Sequence, residues 1–225
     1  MLEQLADDLF TVELPLRMPF AEVGTRTTLA RLPDSGLWMH SPGPIDSQLR
    51  AQIDELGPVR FLIAPNKFHH LHLAEAARAF PEARVFLAPG LADKVKGLPS
   101  GSVLDDVAPK AWAATIDQVW LKGCPAVQEI AFLHRASRTL VLTDLCFNIQ
   151  GGAISTRIFF TLTGVWKRFG PSRLMRLMIR DKHQLRSALD RVLDWDFDRV
   201  LMSHGKPLEN DAREQLRNAF AFLPA

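Results

Sequence analysis

The sequence predicts a mixed chain of the α+β class, and three observations carry that reading. The first forty residues break into short strands with alternating faces, two strand–helix units follow, and residues 112–143 hold three strand-like segments in succession before a helix–strand–helix tail. With 225 residues, 47% hydrophobic and 23% charged, and no repeat or low-complexity tract, the chain can bury an ample core. A single domain over 1–225 is expected, with a basic and apolar helical insertion near 151–182.

The opening strands are predicted at 9–13, 27–32 and 37–40, the last after the turn PDSG. In PIDSQLRAQIDELG, Ile45, Leu49, Ile53 and Leu56 are spaced for one helical face; Pro44 or Asp46 can open that helix, and Gly57 can close it. The apolar run at 59–64 reads as a buried strand. A helix ending near Phe80, a strand at 84–87 and the turn APG come next. The consecutive strands are VWLKG, VQEIAFLH and TLVLTD, the last two joined by a hairpin at Ser-Arg. On VQEIAFLH, Glu129 and His134 are explained by a solvated strand face. In the tail, HQLRSALDRVLDW is an amphipathic helix and FDRVLMSHG a strand and loop. Asn210 or Asp211 can cap a final helix that carries Ala212, Leu216, Phe220 and Leu223 on one face.

Charge narrows the classes of partner. A net charge of +2 is too mild for a nucleic-acid footprint, so nucleic acid is not an expected partner. One local cluster stands out. Lys167, Arg168, Arg173, Arg176, Arg180, Lys182 and Arg186 face only Asp181, after the apolar stretch 158–166. It reads either as a solvated basic face or, over 157–186, as a surface for peripheral membrane contact or self-association. The start, MLEQLADDLFTVEL, carries acids where an export signal carries positive charge, and no apolar run reaches the roughly 18 residues of a membrane span. Only Cys124 and Cys146 are present, as suits a reducing compartment, and a cytoplasmic location is expected.

Chemistry is most concentrated just after the buried strand 59–64. His69, His70 and His72 fall within four positions of APNKFHHLHL, and imidazole is the side chain best suited to hold a transition metal or move protons near neutral pH. If a helix begins here, His69 and His72 share a face while His70 points elsewhere.

The β-rich start, this cluster, the strand ending in Thr143-Asp144 and the late strand ending in Ser203-His204-Gly205 resemble the metallo-β-lactamase superfamily. Within it, LWMHSPGPID, APNKFHHLHL, RTLVLTDLCFN and LMSHGKPL are most similar to the uncharacterised DUF4336 family. The resemblance implies a four-layer αββα sandwich with a metal site at one edge of its sheets, holding zinc or iron. It matches Asp144 to the bridging carboxylate and His204 to the last ligand.

Other positions depart from that pattern. The signature His-x-His-x-Asp-His, laid with the strand end in register, falls on Asn66, Phe68, His70 and Leu71, so two or three ligands are missing. A shifted register offers His69, His70 and His72 instead, without the usual carboxylate that activates water. The position for the next histidine falls on Pro125, beside Cys124. His40 stands where many members carry an Asp-x-Gly turn and could line the same pocket.

No G-x-S-x-G elbow, P-loop, G-x-G-x-x-G or Cys-x-x-Cys occurs. Two classes of function remain. One is a metal-dependent hydrolase with a depleted metal site drawn from His69, His70, Asp144 and His204, with Asp144 and His70 as the catalytic pair and a small-molecule substrate. The other is a metal-free degenerate member that binds a small molecule, a partner or a membrane surface.

Overall fold

The computed structural model describes residues 1–18 and 21–224. The chain opens with β1 (Glu3–Ala6) and β2 (Leu9–Leu14), then a two-stranded ribbon of β3 (Arg17–Met18) and β4 (Ala21–Glu22), followed by β5 (Thr25–Arg31) and β6 (Leu37–His40). Helices then alternate with strands: α1 (Ser47–Leu56), β7 (Val59–Ala64), α2 (Leu73–Ala79), β8 (Arg84–Leu87), α3 (Leu91–Lys94) and β9 (Ser102–Val103). The second half holds β10 (Ile116–Trp120), β11 (Ile130–His134), β12 (Thr139–Val141), α4 (Ile154–Leu162), α5 (Arg173–Met178), α6 (Lys182–Leu193), β13 (Arg199–Leu201) and α7 (Ala212–Ala219).

A seven-stranded sheet has the order β1-β2-β5-β6-β7-β8-β9, and a four-stranded sheet the order β10-β11-β12-β13. From β6 to β9 the pairing is parallel, because crossovers containing α1, α2 and α3 in turn carry the chain back between strands. The pairing of β12 with β13 is parallel for the same reason, with α4 to α6 in between.

The period-two pattern of each strand decides which layer its side chains enter. On β6, Leu37 and Met39 join α1 and α2 through Leu49, Ile53, Leu73 and Ala76. Trp38 turns the other way and meets Ile130, Phe132 and Val141 of the second sheet. The far face of that sheet is covered by α6 and α7, through Leu185, Leu189, Val192 and Leu216. The layers are therefore helix, sheet, sheet, helix, the αββα arrangement expected.

Between the sheets, Trp112 meets Phe61 and Phe86 edge-on, with ring centroids 5.1 and 4.6 Å apart. Each such pair adds about 0.5–1.5 kcal/mol beyond its area burial. Among the described residues no helix is long and apolar enough to cross a membrane.

Several expectations are refined. Asp46, rather than Pro44, opens α1: its Oδ1 accepts from the Leu49 N–H at 2.7 Å. At the start of α7, Asp211 occupies the cap position in a left-handed conformation, φ 49°, and its side chain makes no capping bond. The solvated face expected on β11 is absent. Every residue of β11 is buried, because sheet packs on one side and helices on the other, and Glu129 and His134 are 1% and 2% exposed. The sequence reading had no counterpart for β1, β3, β4, β9 and α3, which are only two to four residues long and too short to show a period.

Candidate metal centre

The carboxyl ends of β6, β7, β12 and β13 lie at one edge of the molecule, and each runs directly into a loop that contributes a side chain. These are Ser41 after β6, Asn66 and His69 after β7, Asp144 after β12, and His204 after β13. One ligand atom each from His69, Asp144 and His204 lies within 4.8 Å of the others. The His69 Nε2 stands 3.3 Å from Asp144 Oδ2, and the His204 Nε2 stands 3.2 Å from Asp144 Oδ1.

Each member of the trio is oriented from behind. His204 Nδ1 lies 2.7 Å from the Gly24 carbonyl, which can only accept, so Nδ1 carries the proton and donates it. Its ring also stacks on Phe147, 5.4 Å between centroids. His69 Nδ1 lies 2.6 Å from Ser41 Oγ. Ser41 holds a left-handed φ of 53°, and its carbonyl accepts from Thr27 Oγ1 at 2.9 Å. Such a conformation costs about 1–2 kcal/mol in a non-glycine residue, and here it aims the hydroxyl at the imidazole.

Asn66 explains why His69 enters the site and His70 does not. Its Oδ1 accepts from the backbone N–H of Phe68 and of His69, turning the chain before α2 begins at Leu73. Its Nδ2 donates to Asp144 Oδ2 at 2.7 Å and to Thr143 Oγ1 at 2.9 Å. The segment 67–72 is thus a turn and not the first turn of a helix. His70 lies outside the trio, contrary to its expected place beside His69; burial and the charge of Lys94 lower its pKa. His72 pairs with Glu75 at 3.2 Å on the surface.

Beneath the trio, Glu129 accepts from the backbone N–H groups of Thr143, Asp144 and Leu145 at 2.7, 2.9 and 2.9 Å. It clamps the loop that presents Asp144. Burial and the charge of Asp144 push its pKa up to about 7, against the pull of those donors. Around His204, Arg26 is 3% exposed and donates to the carbonyls of Met202 and Gly205 while pairing with Glu13. Gly205 has a φ of 96°, and a Cβ there would lie 2.2 Å from the Asn148 carbonyl oxygen, so glycine is required where the chain leaves the site.

The electrostatics are those of a tightly coupled set. Burial works against ionisation of Asp144, yet the charges and hydrogen bonds of His69 and His204 hold its carboxyl well below the usual range. For His69, burial works against the charged form, but Asp144, with Glu129 further off, reverses the balance and raises its pKa. Cys124 lies outside this set: it is buried, its thiol pushed up by burial, and its Sγ donates to the Met178 carbonyl at 3.3 Å.

The trio opens into a cavity of about 630 Å³ that is walled mainly by apolar side chains, among them Leu16, Val23, Phe147, Phe159 and Phe160. Of the remaining expectations, His40 is buried one layer below, stacked on Trp38 at 5.4 Å, and does not line the cavity. The residues that sequence reasoning passed over are Ser41, Arg26 and the clamp role of Glu129. For Glu129 a signal existed, a lone acid immediately before the apolar run Ile130 to Leu133.

Two sheets packed face to face, helices on both outer sides and a histidine–carboxylate trio at the strand ends define the metallo-β-lactamase fold. The DIM-1 metallo-β-lactamase exposed to ceftazidime superposes with a TM-score of 0.69 and 10% identity, over 100% of this chain and 97% of that one. The metallo-β-lactamase from Hirschia baltica gives 0.65 and 14%, over 100% and 98%. The metal-soaked Flv1 flavodiiron core from Synechocystis gives 0.65 and 11%, over 99% of this chain and 60% of that one. Likeness at such identities is one of fold. Residues 6–156 match the family of a domain of unknown function, DUF4336, and the chain belongs to that family. No curated protein matches it.

Proposed function

We propose that this chain is a metal-dependent hydrolase with a reduced site, in which His69 Nε2, the Asp144 carboxylate and His204 Nε2 hold one zinc or iron ion and a small molecule occupies the adjoining cavity. One observation carries the reading. Because His204 Nδ1 donates to Gly24, Nε2 of the neutral ring presents a lone pair 3.2 Å from a carboxylate oxygen, so a cation or a proton is needed between two acceptors. Two imidazoles and a carboxylate are ligands that zinc and iron accept, and an outer hydrogen bond on the far nitrogen of each ring is the usual companion of metal-bound histidine.

A bound ion would lower the pKa of a coordinated water and polarise a carbonyl or phosphoryl oxygen. The chain's own residues set the stage for that chemistry. Asn66 and the Glu129 clamp fix Asp144, Ser41 and Gly24 fix the two rings, and the apolar walls restrict water around the reacting bond. Esters, lactones, amides and thioesters are the substrate classes that suit such a site.

The test is elemental analysis of protein purified without added metal or a histidine tag. About one equivalent of zinc or iron, lost in Asp144→Ala and in His204→Ala, is expected. Less than about a tenth of an equivalent, with thermal stability unchanged by chelator, would overturn the reading. A metal-free binding protein would then be favoured by the same distances, since an extra proton lets the two rings and the carboxylate satisfy one another.

A further inference from the structure

Whether or not the site carries an ion, α4 and α5 leave apolar side chains uncovered near the mouth of the cavity. Helix α4 is apolar on opposite sides. Phe160 packs inward on Ala21, Val23, Ile149 and Val165. Ile154, Ile158 and Leu162, one turn apart from each other, are 78%, 55% and 68% exposed. The polar residues Ser155, Arg157 and Thr161 leave this outer apolar stripe intact, and an apolar stripe on a helix is ordinarily covered. On α5, Met175 is buried while Leu174 and Leu177 are 58% and 76% exposed.

These side chains belong to one surface. Met18 and Phe159 wall both the 630 Å³ cavity and a neighbouring open groove of about 710 Å³. Ile158 and Leu162 line the groove, while Leu71 and Leu174 line the cavity. Arg173 ties the two helices together by donating from Nη1 to the Leu162 carbonyl at 3.3 Å. Met18, Leu71, Phe159 and Leu174 therefore stand at the cavity, Ile158 and Leu162 at the groove beside it, and Ile154 and Leu177 further along the same two helices.

Charge identifies what covers them. No acid occurs from 145 to 180, a stretch that contains Arg157, Lys167, Arg168, Arg173, Arg176 and Arg180. None of these six makes an ion pair among the described residues, and Glu22, at the edge of the groove, is paired with Arg17. A second copy docking through this face would set like charges against like. Nucleic acid would leave the leucines and isoleucines without an apolar partner. A bilayer with anionic headgroups offers both what the side chains lack, hydrocarbon for the apolar ring and phosphates for the basic residues.

We propose that the outer face of α4 and α5 seats on an anionic lipid bilayer, with the cavity mouth turned toward the lipid. An amphiphile could then enter the apolar cavity from the bilayer with its polar end toward His69, Asp144 and His204.

The experiment is co-sedimentation of the full chain with vesicles of phosphatidylcholine alone and with one third phosphatidylglycerol, at low and at high salt. Selective binding to the anionic vesicles is expected, weakened by about tenfold or more when salt rises from 50 to 500 mM, roughly the range over which screening shortens from beyond 10 Å to a few ångströms. The double variant Ile158→Asp and Leu177→Asp, checked for unchanged circular dichroism and melting temperature, is expected to lose binding by about tenfold or more. The variant Arg168→Glu is expected to weaken binding to anionic vesicles alone. Absence of binding at both salts, or binding equal on neutral vesicles, overturns the proposal. So does a dimer, seen by light scattering, that dissociates in the double variant while vesicles bind neither protein.

Discussion

His40 shows how a single residue in this fold links sequence pattern to pH response. The alternation of β6 turns it inward, to stack on Trp38 and meet Phe132 edge-on, and both its ring nitrogens lack a hydrogen-bond partner among the described residues. Burial, with a smaller push from the charge of His69, lowers its pKa to about 3. In the unfolded chain it would titrate near the ordinary value of about 6.5. Between those values the unfolded chain binds the extra proton, so this group's contribution is fully present above pH 6.5 and is lost as pH falls toward 3. The gap corresponds to roughly 3–5 kcal/mol over the whole window. In His40→Leu that component is removed. Urea midpoints at pH 7 and pH 4 are expected to fall less with acid in the variant than in the parent chain, and an equal fall in both would show that His40 does not carry the sensitivity.

At the scale of elements, the turn between β7 and α2 determines which histidine reaches the site, and Asn66 holds that turn. Replacing it in Asn66→Ala would strand the N–H groups of Phe68 and His69 and remove the donor on Asp144, for a loss of about 2–4 kcal/mol. Metal affinity is expected to fall by about 10–100-fold, as is usual when a ligand's supporting hydrogen bonds are lost. Calorimetric melting and metal titration check both, and unchanged affinity would mean that His69 holds its place without the turn. The same turn shows why the site was only partly legible. Asp144 and His204 close apolar strands, and a strand end can be read from the one-dimensional pattern. Choosing between His69 and His70 depended on a side-chain-to-backbone bond three residues earlier, which no periodicity encodes. The strands at 37–40, 59–64 and 84–87 were legible to the residue because turns bound them on both sides. Glu129 stands one residue before β11, which is covered on both faces, so the alternation there carries no information about solvent.

At the scale of the whole molecule, the candidate site is divided between the two sheets: His69 belongs to the seven-stranded sheet, and Asp144 and His204 to the four-stranded one. The sheets are held together by the aromatic and aliphatic layer around Trp38, Phe61, Phe86, Trp112 and Phe132. An ion bound by all three ligands would therefore bridge the sheets and add its binding energy to their packing. At a free zinc concentration about a hundredfold above the dissociation constant, linkage gives about 2.7 kcal/mol. For a chain of this size that raises the melting temperature by roughly 5–10 °C. The shift is expected to appear equally in near- and far-ultraviolet circular dichroism, since a bridge acts on the global transition, and to vanish with chelator and in His204→Ala. Trp112→Ala, which opens a cavity between the sheets, is expected to cost about 3–5 kcal/mol in the metal-free protein. It touches no ligand, so any weakening of zinc affinity in that variant would report strain passed through the inter-sheet layer. A zinc-induced shift that survives His204→Ala undiminished would show that the ion is held within one sheet and that the bridge does not form.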